Sequence, residues 1–314
     1  MADHTSNQRV SNLKTLRPRK HELEFFIADE VEISSFRDEI ASMEHPFFAM
    51  KGGDTKVREY KNGNVTLMVS PPSVIGLATI FDKDIWIYSI SKLQEAMNNH
   101  EEISRTVCFT PYDFFVTTNR DKSGRAYDDL RKALARLAGT RIETNIIYSD
   151  DSRKTENFGL IDKWVFLEEK KGKLDIGMVE VTLPDWLYQA LHKKKMLKIS
   201  HDYFRIRKAI DRRLYEIARK HCGNQGEFTI SLEKLHLKTG STALLKMFRH
   251  NIKQLAKAND LPDYSVRYDS KVDMVIFNNR NLTAEQEKKE QQREKGKREI
   301  YKLKNSLAAK RGGK

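Results

Sequence analysis

The stretch TALLKMFRHNIKQLAKAN, residues 242–259, combines a helical repeat of apolar residues with charges of a single sign. The apolar residues recur three or four positions apart, which is the spacing of one helix face and predicts a side buried against a core. They are Leu244, Phe248, Ile252 and Leu255. No acidic residue occurs in the stretch, although a solvated helix is ordinarily stabilised by pairs of opposite charge. Uncompensated repulsion of this kind is typical of a helix that meets a polyanion.

The outward residues of this stretch form the main candidate surface for that polyanion. We interpret residues 242–258 as the recognition helix of a helix-turn-helix unit, which places its side chains in the major groove of DNA. The candidate contacts are Ser241, Thr242, Lys246, Arg249, His250, Lys253 and Lys257. A plain basic face without a ligand is the alternative interpretation.

The elements around this helix repeat in the same order around 82–183 and around 200–278. Each unit is predicted to contain a long amphipathic helix, a short helix, a polar turn, a second long helix and then alternating strands. This order is typical of the winged helix-turn-helix, in which the strands form a wing beside the recognition helix. In the second unit we expect a helix at 203–221, a strand at 227–230, a short helix capped by Ser231, the helix at 242–259, and strands at 264–268 and 271–278.

The first unit is predicted to begin with a helix over about 80–98. Thr110-Pro111 is typical of an N-cap followed by proline at the first helical position, and it predicts a short helix through about Thr117. We then expect a helix at 125–138, strands at 141–148, 158–168 and 173–183, with a tight turn at 171–172, and a short helix at 186–192. A hairpin precedes the unit, with strands at 56–61 and 65–70 and a type I′ turn at Asn62-Gly63.

The predicted helix at 125–138 is the recognition helix of the first unit. Its expected buried side consists of Tyr127, Leu130, Leu134 and Leu137. Its candidate DNA contacts are Ser123, Arg125, Asp129, Lys132 and Arg136. An arginine near a helix start can bind the guanine edge, and an aspartate can accept from cytosine. Asp129 and Lys132 could instead form an ordinary surface pair.

Further candidate contacts with DNA lie outside the two recognition helices. In the opening helix of the second unit they are Arg205, Arg207 and Lys208, and in the wing loops they are Arg153, Lys154 and Lys271. Surface loops also carry lysine and arginine for solubility. Each of these residues could therefore be a solvated cation that makes no contact with DNA.

The charge balance favours a polyanionic partner. The 314 residues carry 57 Lys and Arg against 44 Asp and Glu, which gives a formal net charge of +13. This length corresponds to about two domains. We therefore predict an α+β fold of two tandem winged helix-turn-helix domains at 44–193 and 194–282. A basic arm with a helical extension at 1–43 and a basic tail at 283–314, disordered or helical, are expected to be flexible.

Composition also restricts the compartment. The mean hydropathy is -0.65, no run approaches the roughly 18 apolar residues of a membrane span, and no signal peptide is visible. The two cysteines, Cys108 and Cys222, lie far apart in apolar surroundings and are expected to be reduced. Both observations indicate a cytoplasmic protein that does not bind membranes.

Sequence signatures of catalysis are missing. No G-x-x-x-x-G-K-[ST] phosphate loop occurs, and no His-x-His pair could hold the metal of a nicking initiator. The histidines are scattered, and His221-Cys222 has no second ligand pair at zinc spacing. We therefore expect no enzymatic activity, no cofactor and no metal.

Several longer segments resemble the plasmid replication initiator protein A family. They are EHPFFAM at 44–50, GLATIFDKD at 76–84, IWIYSISKL at 85–93, SRTVCFTPYD at 104–113, LRKALARLAGTRIETN at 130–145 and YFRIRKAIDRRLYEIARKHCG at 203–223. The resemblance extends over about 45–280, and related initiators are built from paired winged-helix domains.

The resemblance implies an initiator that binds repeated double-stranded sites, called iterons, in a plasmid origin. Such proteins help to open the adjacent duplex and recruit the host helicase, its loader or the host initiator. Many also dimerise and repress their own promoter, so a homodimer and plasmid copy control are expectations here by analogy alone.

Other function classes remain open at this point. The same two domains could serve a transcriptional repressor without a role in replication. A DNA-nicking initiator enzyme with an unusual active site is the alternative from the enzyme class. An RNA-associated basic protein is a third alternative, and two full wings disfavour it.

Overall fold

The computed structural model describes residues 16–21, 33–146, 155–168, 177–223, 225–283 and the single residues 286, 288 and 292. Most of the two predicted terminal extensions, the predicted turn at 171–172 and the candidate contacts Arg153 and Lys154 lie outside the described residues.

Helices and short strands alternate along the described chain. The first part contains β1 (Arg37–Glu39), α1 (Ile40–Glu44), β2 (Arg58–Asn62), β3 (Val65–Ser70), α2 (Asp84–Asn98), β4 (Thr106–Phe109), α3 (Pro111–Thr117), α4 (Gly124–Gly139), β5 (Arg141–Thr144), β6 (Glu156–Gly159), β7 (Lys163–Glu168), β8 (Gly177–Thr182) and α5 (Asp185–His192). The second part contains β9 (Met196–Lys198), a 3₁₀ turn (His201–Arg205), α6 (Ala209–His221), β10 (Glu227–Ser231), α7 (Leu232–Thr239), α8 (Leu245–Ala258), β11 (Tyr264–Asp269) and β12 (Met274–Asn279).

One order of elements occurs in both parts. Helix, strand, helix, helix and two further strands follow one another as α2, β4, α3, α4, β7 and β8, and again as α6, β10, α7, α8, β11 and β12. Each set of strands forms an antiparallel sheet in which the third strand lies in the middle, as β4-β8-β7 and as β10-β12-β11. The structure thereby confirms the predicted mixture of helices and antiparallel sheets.

The first unit differs from the second by an insertion between α4 and β7. Strands β5 and β6 extend the β2–β3 hairpin into a separate sheet with the order β2-β3-β5-β6. The expected single strand at 158–168 is therefore wrong, because a turn at Leu160 and Ile161 moves the chain from one sheet to the other. Both side chains are buried, so their apolar character marks a core position rather than a continuing strand.

Residue pairing also corrects the hairpin turn. Asn62 pairs with Val65, so the two loop residues are Gly63 and Asn64 and not Asn62-Gly63. Gly63 has a φ of 59°, in the region that glycine adopts without strain.

The opening helix of the second unit is shorter than expected. The residues predicted as a helix at 203–221 form a 3₁₀ turn, an extended link and then α6. Arg212 stabilises this break, because its guanidinium donates to the carbonyls of Phe204 and Ile206, both at 3.1 Å.

The helix caps follow the sequence closely at two places. The Thr110 side chain accepts from the Asp113 N–H at 3.1 Å, and the Ser231 side chain accepts from the Lys234 N–H at 3.4 Å. Helix α7 ends at Gly240, which has a φ of 68°. A Cβ at Gly240 would lie 2.5 Å from the Pro46 side chain, so the close approach of the two units also requires glycine there.

Two hydrophobic cores meet at the junction between the units. One core is formed by α2–α5 and their sheets, and the other by α6–α8 and β10–β12. Phe36, Met43 and Ile87 come from the first part of the chain but pack in the second core. The predicted boundary at 193/194 stays a prediction, and the packing shows that the two units contact each other closely.

Buried charges connect the units at this junction. Lys83 contacts Asp38 at 2.7 Å and Glu216 at 3.0 Å, and all three side chains are shielded from solvent. Burial raises the pKa of Asp38 to about 7, although Lys83 opposes the shift. Burial would also raise the pKa of Glu216, but the charges of Lys83 and Arg213 outweigh it and lower that pKa.

Two cations of α6 belong to the same network. Arg212 contacts Asp84 at 2.5 Å, and Arg213 contacts Glu216 at 3.0 Å. Arg213 also donates to the carbonyls of Ser42 and Met43, at 2.8 and 2.9 Å. These arginines therefore attach α6 to the first unit and do not face solvent.

Candidate nucleic-acid interface

Helix α8 presents a basic face to solvent. Phe248, Ile252 and Leu255 point into the core, as predicted. At about 100° per residue, the opposite side of the helix is centred on Lys246, His250, Lys253 and Lys257. All four residues are exposed. The sequence therefore placed these four residues correctly on the exposed side of the helix.

Arg249 lies on the flank of α8, where it contacts the β11–β12 hairpin. Its guanidinium donates to Asp273 at 3.0 and 3.3 Å, and the Tyr268 hydroxyl donates to the same carboxylate. The hydrogen bonds from Arg249 and Tyr268 lower the pKa of Asp273. The expectation of a fully uncompensated basic stripe is thus wrong for Arg249, because its acid partner comes from another element.

The β11–β12 hairpin stands beside α8. Lys253 lies 5.6 Å from the centre of the Tyr268 ring, and Lys271 is exposed in the turn that joins the strands. The Lys271 N–H donates to the Asp269 carboxylate at 2.9 Å, which orders the turn. Helix and hairpin thereby form one surface with cations on both parts.

The turn before α8 corrects the predicted start of this helix. Ser241, Thr242 and Ala243 precede the helix, and Leu244 is its N-cap with extended backbone. The Ser241 hydroxyl accepts from the Ala243 N–H at 3.3 Å, and Thr242 is exposed. Leu244 is 78% exposed, so its predicted place in the core is wrong. An extended N-cap residue does not follow the helical repeat that the sequence pattern assumed.

Helix α4 occupies the corresponding place in the first unit. Leu130, Leu134 and Leu137 are buried and Tyr127 packs partly against the core, in agreement with the prediction. The candidate contacts Ser123, Arg125, Asp129 and Lys132 are exposed. Arg125 lies 4.0 Å from Asp129, so part of its charge is already balanced on the helix.

Arg136 of α4 does not belong to this exposed face. Its guanidinium forms two hydrogen bonds of 2.8 Å with the Asp82 carboxylate, and this pairing raises the pKa of Arg136. The expectation that Arg136 lines the outward face is therefore wrong. It fastens the last turns of α4 to the segment that precedes α2.

The three candidates near α6 separate in the same way. Arg205 is buried, and it donates to Asp202 and to the carbonyl of Arg17, both at 2.7 Å. Both bonds hold the Arg205 guanidinium inside the protein, so the prediction that Arg205 contacts DNA is wrong. Arg207 and Lys208 are exposed, but they lie in the extended link before α6 and not in a helix.

Two apolar residues at the start of α8 are exposed, and the sequence pattern predicted neither exposure. Leu244 and Met247 lie beside the basic face, and Met247 is 53% exposed. The signal that could have found them is the surplus of large apolar residues in 242–259: the segment has six, and the core side of the helix needs three.

Neither a metal-binding cluster nor a membrane-spanning helix occurs in the described part of the chain. Among the described residues, no group of three or more His, Cys, Asp or Glu side chains is placed to hold a metal ion. No helix that the structure describes combines the length and apolar character needed to cross a bilayer.

Comparisons with known proteins bear on the family through sequence and on the fold through structure. Residues 37–266 match the family model described as "Replication initiator protein A". A protein of Wigglesworthia glossinidia brevipalpis, described as "Putative replication protein", is 63% identical over 266 residues, which cover 84% of this chain and 96% of that protein. The crystal structure of domains 2 and 3 of RctB is similar in fold, with a TM-score of 0.54 and 10% identity over 76% of this chain and 95% of that one.

Proposed function

The chain belongs to the Replication initiator protein A family, and from this premise we propose that it starts plasmid replication by binding repeated double-stranded sites in the origin. The observation that carries the proposal is the exposed basic face of α8 beside a hairpin that also carries cations. A face of this kind suits a duplex, whose affinity for proteins is dominated by phosphate contacts.

We infer that each repeated unit is a winged helix-turn-helix domain, with a boundary near 193/194. The order of elements and the central position of the third strand in each sheet support this inference. In this proposal α4 and α8 are the recognition helices, and the paired strands β7–β8 and β11–β12 form the wings.

In this proposal α8 and α4 contact different stretches of the duplex. Lys246, His250 and Lys253 of α8 lie in a major groove, while Lys257 and Lys271 contact the flanking phosphates. Ser123, Arg125, Asp129 and Lys132 of α4 contact a second stretch of the duplex. Two grooves about one helical turn apart correspond to a site of about 20 base pairs.

The proposal assigns no catalytic step to the protein. Binding to the iterons would favour opening of the adjacent A·T-rich duplex, and the host helicase, its loader or the host initiator would then be recruited. Binding to its own promoter as a homodimer would add control of copy number. The site of action in this proposal is the cytoplasm.

Footprinting on the DNA that flanks the gene tests the central claim. We expect short protected repeats in helical phase. On such a repeat, a log–log plot of affinity against salt should have a slope on the order of −6 to −9, since about 7–10 phosphates would be engaged. A slope near −2 would contradict binding through two domains.

Two further assays separate the proposal from its rivals. A plasmid that carries the gene with its flanking repeats should replicate in a suitable host, whereas a mere repressor would not support replication. Supercoiled plasmid with these repeats should stay intact when it is incubated with the protein and Mg²⁺. Nicked circles would show that the protein is an enzyme.

A further inference from the structure

Two large apolar side chains are exposed at the start of α8. Leu244 is 78% exposed at the N-cap, and Met247 is 53% exposed in the first turn. Both residues lie in the part of a recognition helix that approaches base edges most closely. The inference drawn from them rests on the proposed function, because it concerns the same surface.

Packing does not explain these two residues. Phe248, Ile252 and Leu255 already occupy the core side of α8 with almost no exposure. The backbone carbonyl of Leu244 accepts from the N–H groups of Met247 and Phe248 at 2.9 and 3.0 Å, so the helix start depends on the backbone of Leu244 and not on its side chain.

Helix capping would favour a different residue at position 244. Ser, Thr, Asp and Asn stabilise helices at the N-cap because their side chains accept from a first-turn N–H. Leu244 has no such acceptor, and its side chain is left in water. Leucine at position 244 provides no side-chain cap and leaves an isobutyl group in water. A contact with another molecule explains its presence best.

The surroundings of the pair indicate the chemistry of that contact. Lys246 directly precedes Met247, and the basic face with His250 and Lys253 continues from there along the helix. A partner that satisfies this surface must offer negative charge and small apolar groups together. In the major groove the thymine 5-methyl is an apolar group among polar base edges, and the phosphates lie nearby.

We propose that Leu244 and Met247 select thymines in the target site by packing against their 5-methyl groups. The cations of α8 would supply affinity for the phosphates, and the apolar pair would discriminate between bases. Loss of one buried methyl group corresponds to about a threefold to fivefold loss of affinity.

Replacement of thymine by uracil tests this proposal, because it removes the methyl and keeps the pairing edge. Each thymine of a footprinted repeat is changed to deoxyuridine in turn, and binding is followed by fluorescence anisotropy. The wild type should lose about threefold to fivefold at one or two positions. Leu244→Ala or Met247→Ala should lose a similar amount on the thymine site and become indifferent to uracil at the matching position.

The exposed Leu237 supplies a matched control. It is 68% exposed on α7, where it lines a groove of about 440 Å³ beside the β2–β3 hairpin. Leu237→Ala should keep the full uracil sensitivity. All three substitutions lie at the surface, so thermal melting should confirm folded proteins.

Each other outcome would overturn the proposal. If uracil at every position leaves the affinity of the wild type unchanged, there is no methyl contact. If both variants keep the full sensitivity to uracil, Leu244 and Met247 do not make that contact. Variants that bind DNA normally but fail to support replication would assign the apolar pair to a protein partner. If the wild type binds no duplex at all, the proposed function itself fails, and the two failures are thereby distinguished.

Discussion

Helices α4 and α8 hold the same place in the repeated order of elements, but they differ in charge and attachment. Helix α4 carries acids among its cations, and its Arg136 turns inward to Asp82. Helix α8 contains no acid, and its exposed face stays basic from Lys246 to Lys257. The same position in the fold thus carries an inward ion pair and mixed charges in the first unit, and an exposed basic face in the second.

Three consecutive residues, 82–84, join α4 to the buried ion pairs between the two units. Asp82 contacts Arg136, Lys83 contacts Asp38 and Glu216, and Asp84 contacts Arg212 and Arg120. The stretch 82–84 therefore links α4, β1 and α6 at a single place. The ion pair of α8, between Arg249 and Asp273, is in contrast confined to the second unit.

The largest predicted effect comes from breaking this junction. Asp84→Asn would leave the buried Arg212 guanidinium without its carboxylate, because the two side chains are almost completely shielded from solvent. Loss of one partner of a buried ion pair costs about 3–5 kcal/mol. We expect urea unfolding to show a loss of that size.

An exposed ion pair provides the matched control. Asp162 contacts Arg105 at 2.9 Å, and about 40% of each side chain is exposed. Asp162→Asn should therefore cost about 0–1 kcal/mol. Equal losses in the two variants would show that burial does not make the Asp84–Arg212 pair more costly to break than the exposed one.

A second prediction concerns pH and the edge of the junction at His45. Burial lowers the pKa of His45 from 6.5 to about 4, and the cations Arg213, Lys238 and Lys220 act in the same direction against Glu44. The unfolded chain therefore binds a proton more readily than the folded one as the pH falls from about 6.5 to 4. Stability that is present above pH 6.5 should be lost through this window.

His45→Asn should flatten that loss. Between pH 7 and pH 5 the wild type should lose about 1–2 kcal/mol relative to the variant, after solvent screening is discounted. Asp211, whose pKa burial raises to about 6, acts in the opposite direction in both proteins, so the difference between them isolates His45. Parallel stability curves, measured by urea unfolding at each pH, would contradict the assignment.

A third prediction compares α8 and α4 directly on DNA. Lys257→Gln and Lys132→Gln each remove one exposed lysine from equivalent helices. Lys257→Gln should reduce the salt slope by about 1, with a loss of affinity common to all sequences, because the proposal assigns Lys257 to a flanking phosphate. Lys132→Gln should reduce it less, because Asp129 three residues earlier already weakens the local field. Equal reductions would mean that both helices contribute alike.

Local patterns explain how much of this architecture could be predicted from the sequence. The order of elements follows from hydrophobic spacing, and the caps at Thr110 and Ser231 follow from side chains three residues from their partners. Contacts that join distant parts of the chain were beyond such patterns. Arg136 meets Asp82 across 54 positions and Arg205 meets Arg17 across 188, so two cations that looked available for DNA are held inside.

The candidate interface shows the same division. The basic face of α8 was predictable because its residues share one helix, and the exposure of Leu244 was not, because it depends on where the helix begins. The partner of Arg249 was missed since Asp273 comes from the hairpin, 24 positions later. The sequence patterns therefore missed two things: the residue at which the helix begins, and partners that come from another element.

The smallest predicted effect tests that hairpin contact. Asp273→Asn removes the acid that faces Arg249, and asparagine tolerates the φ of 54° at this position. Because a negative charge leaves the surface and Arg249 becomes free, affinity for duplex of any sequence should rise about twofold to threefold at low salt. The gain should vanish in high salt, as measured by anisotropy on a random duplex. A loss of affinity would mean instead that Asp273 positions Arg249 for its contact, and the hairpin would then count as part of the reading surface and not only as its support.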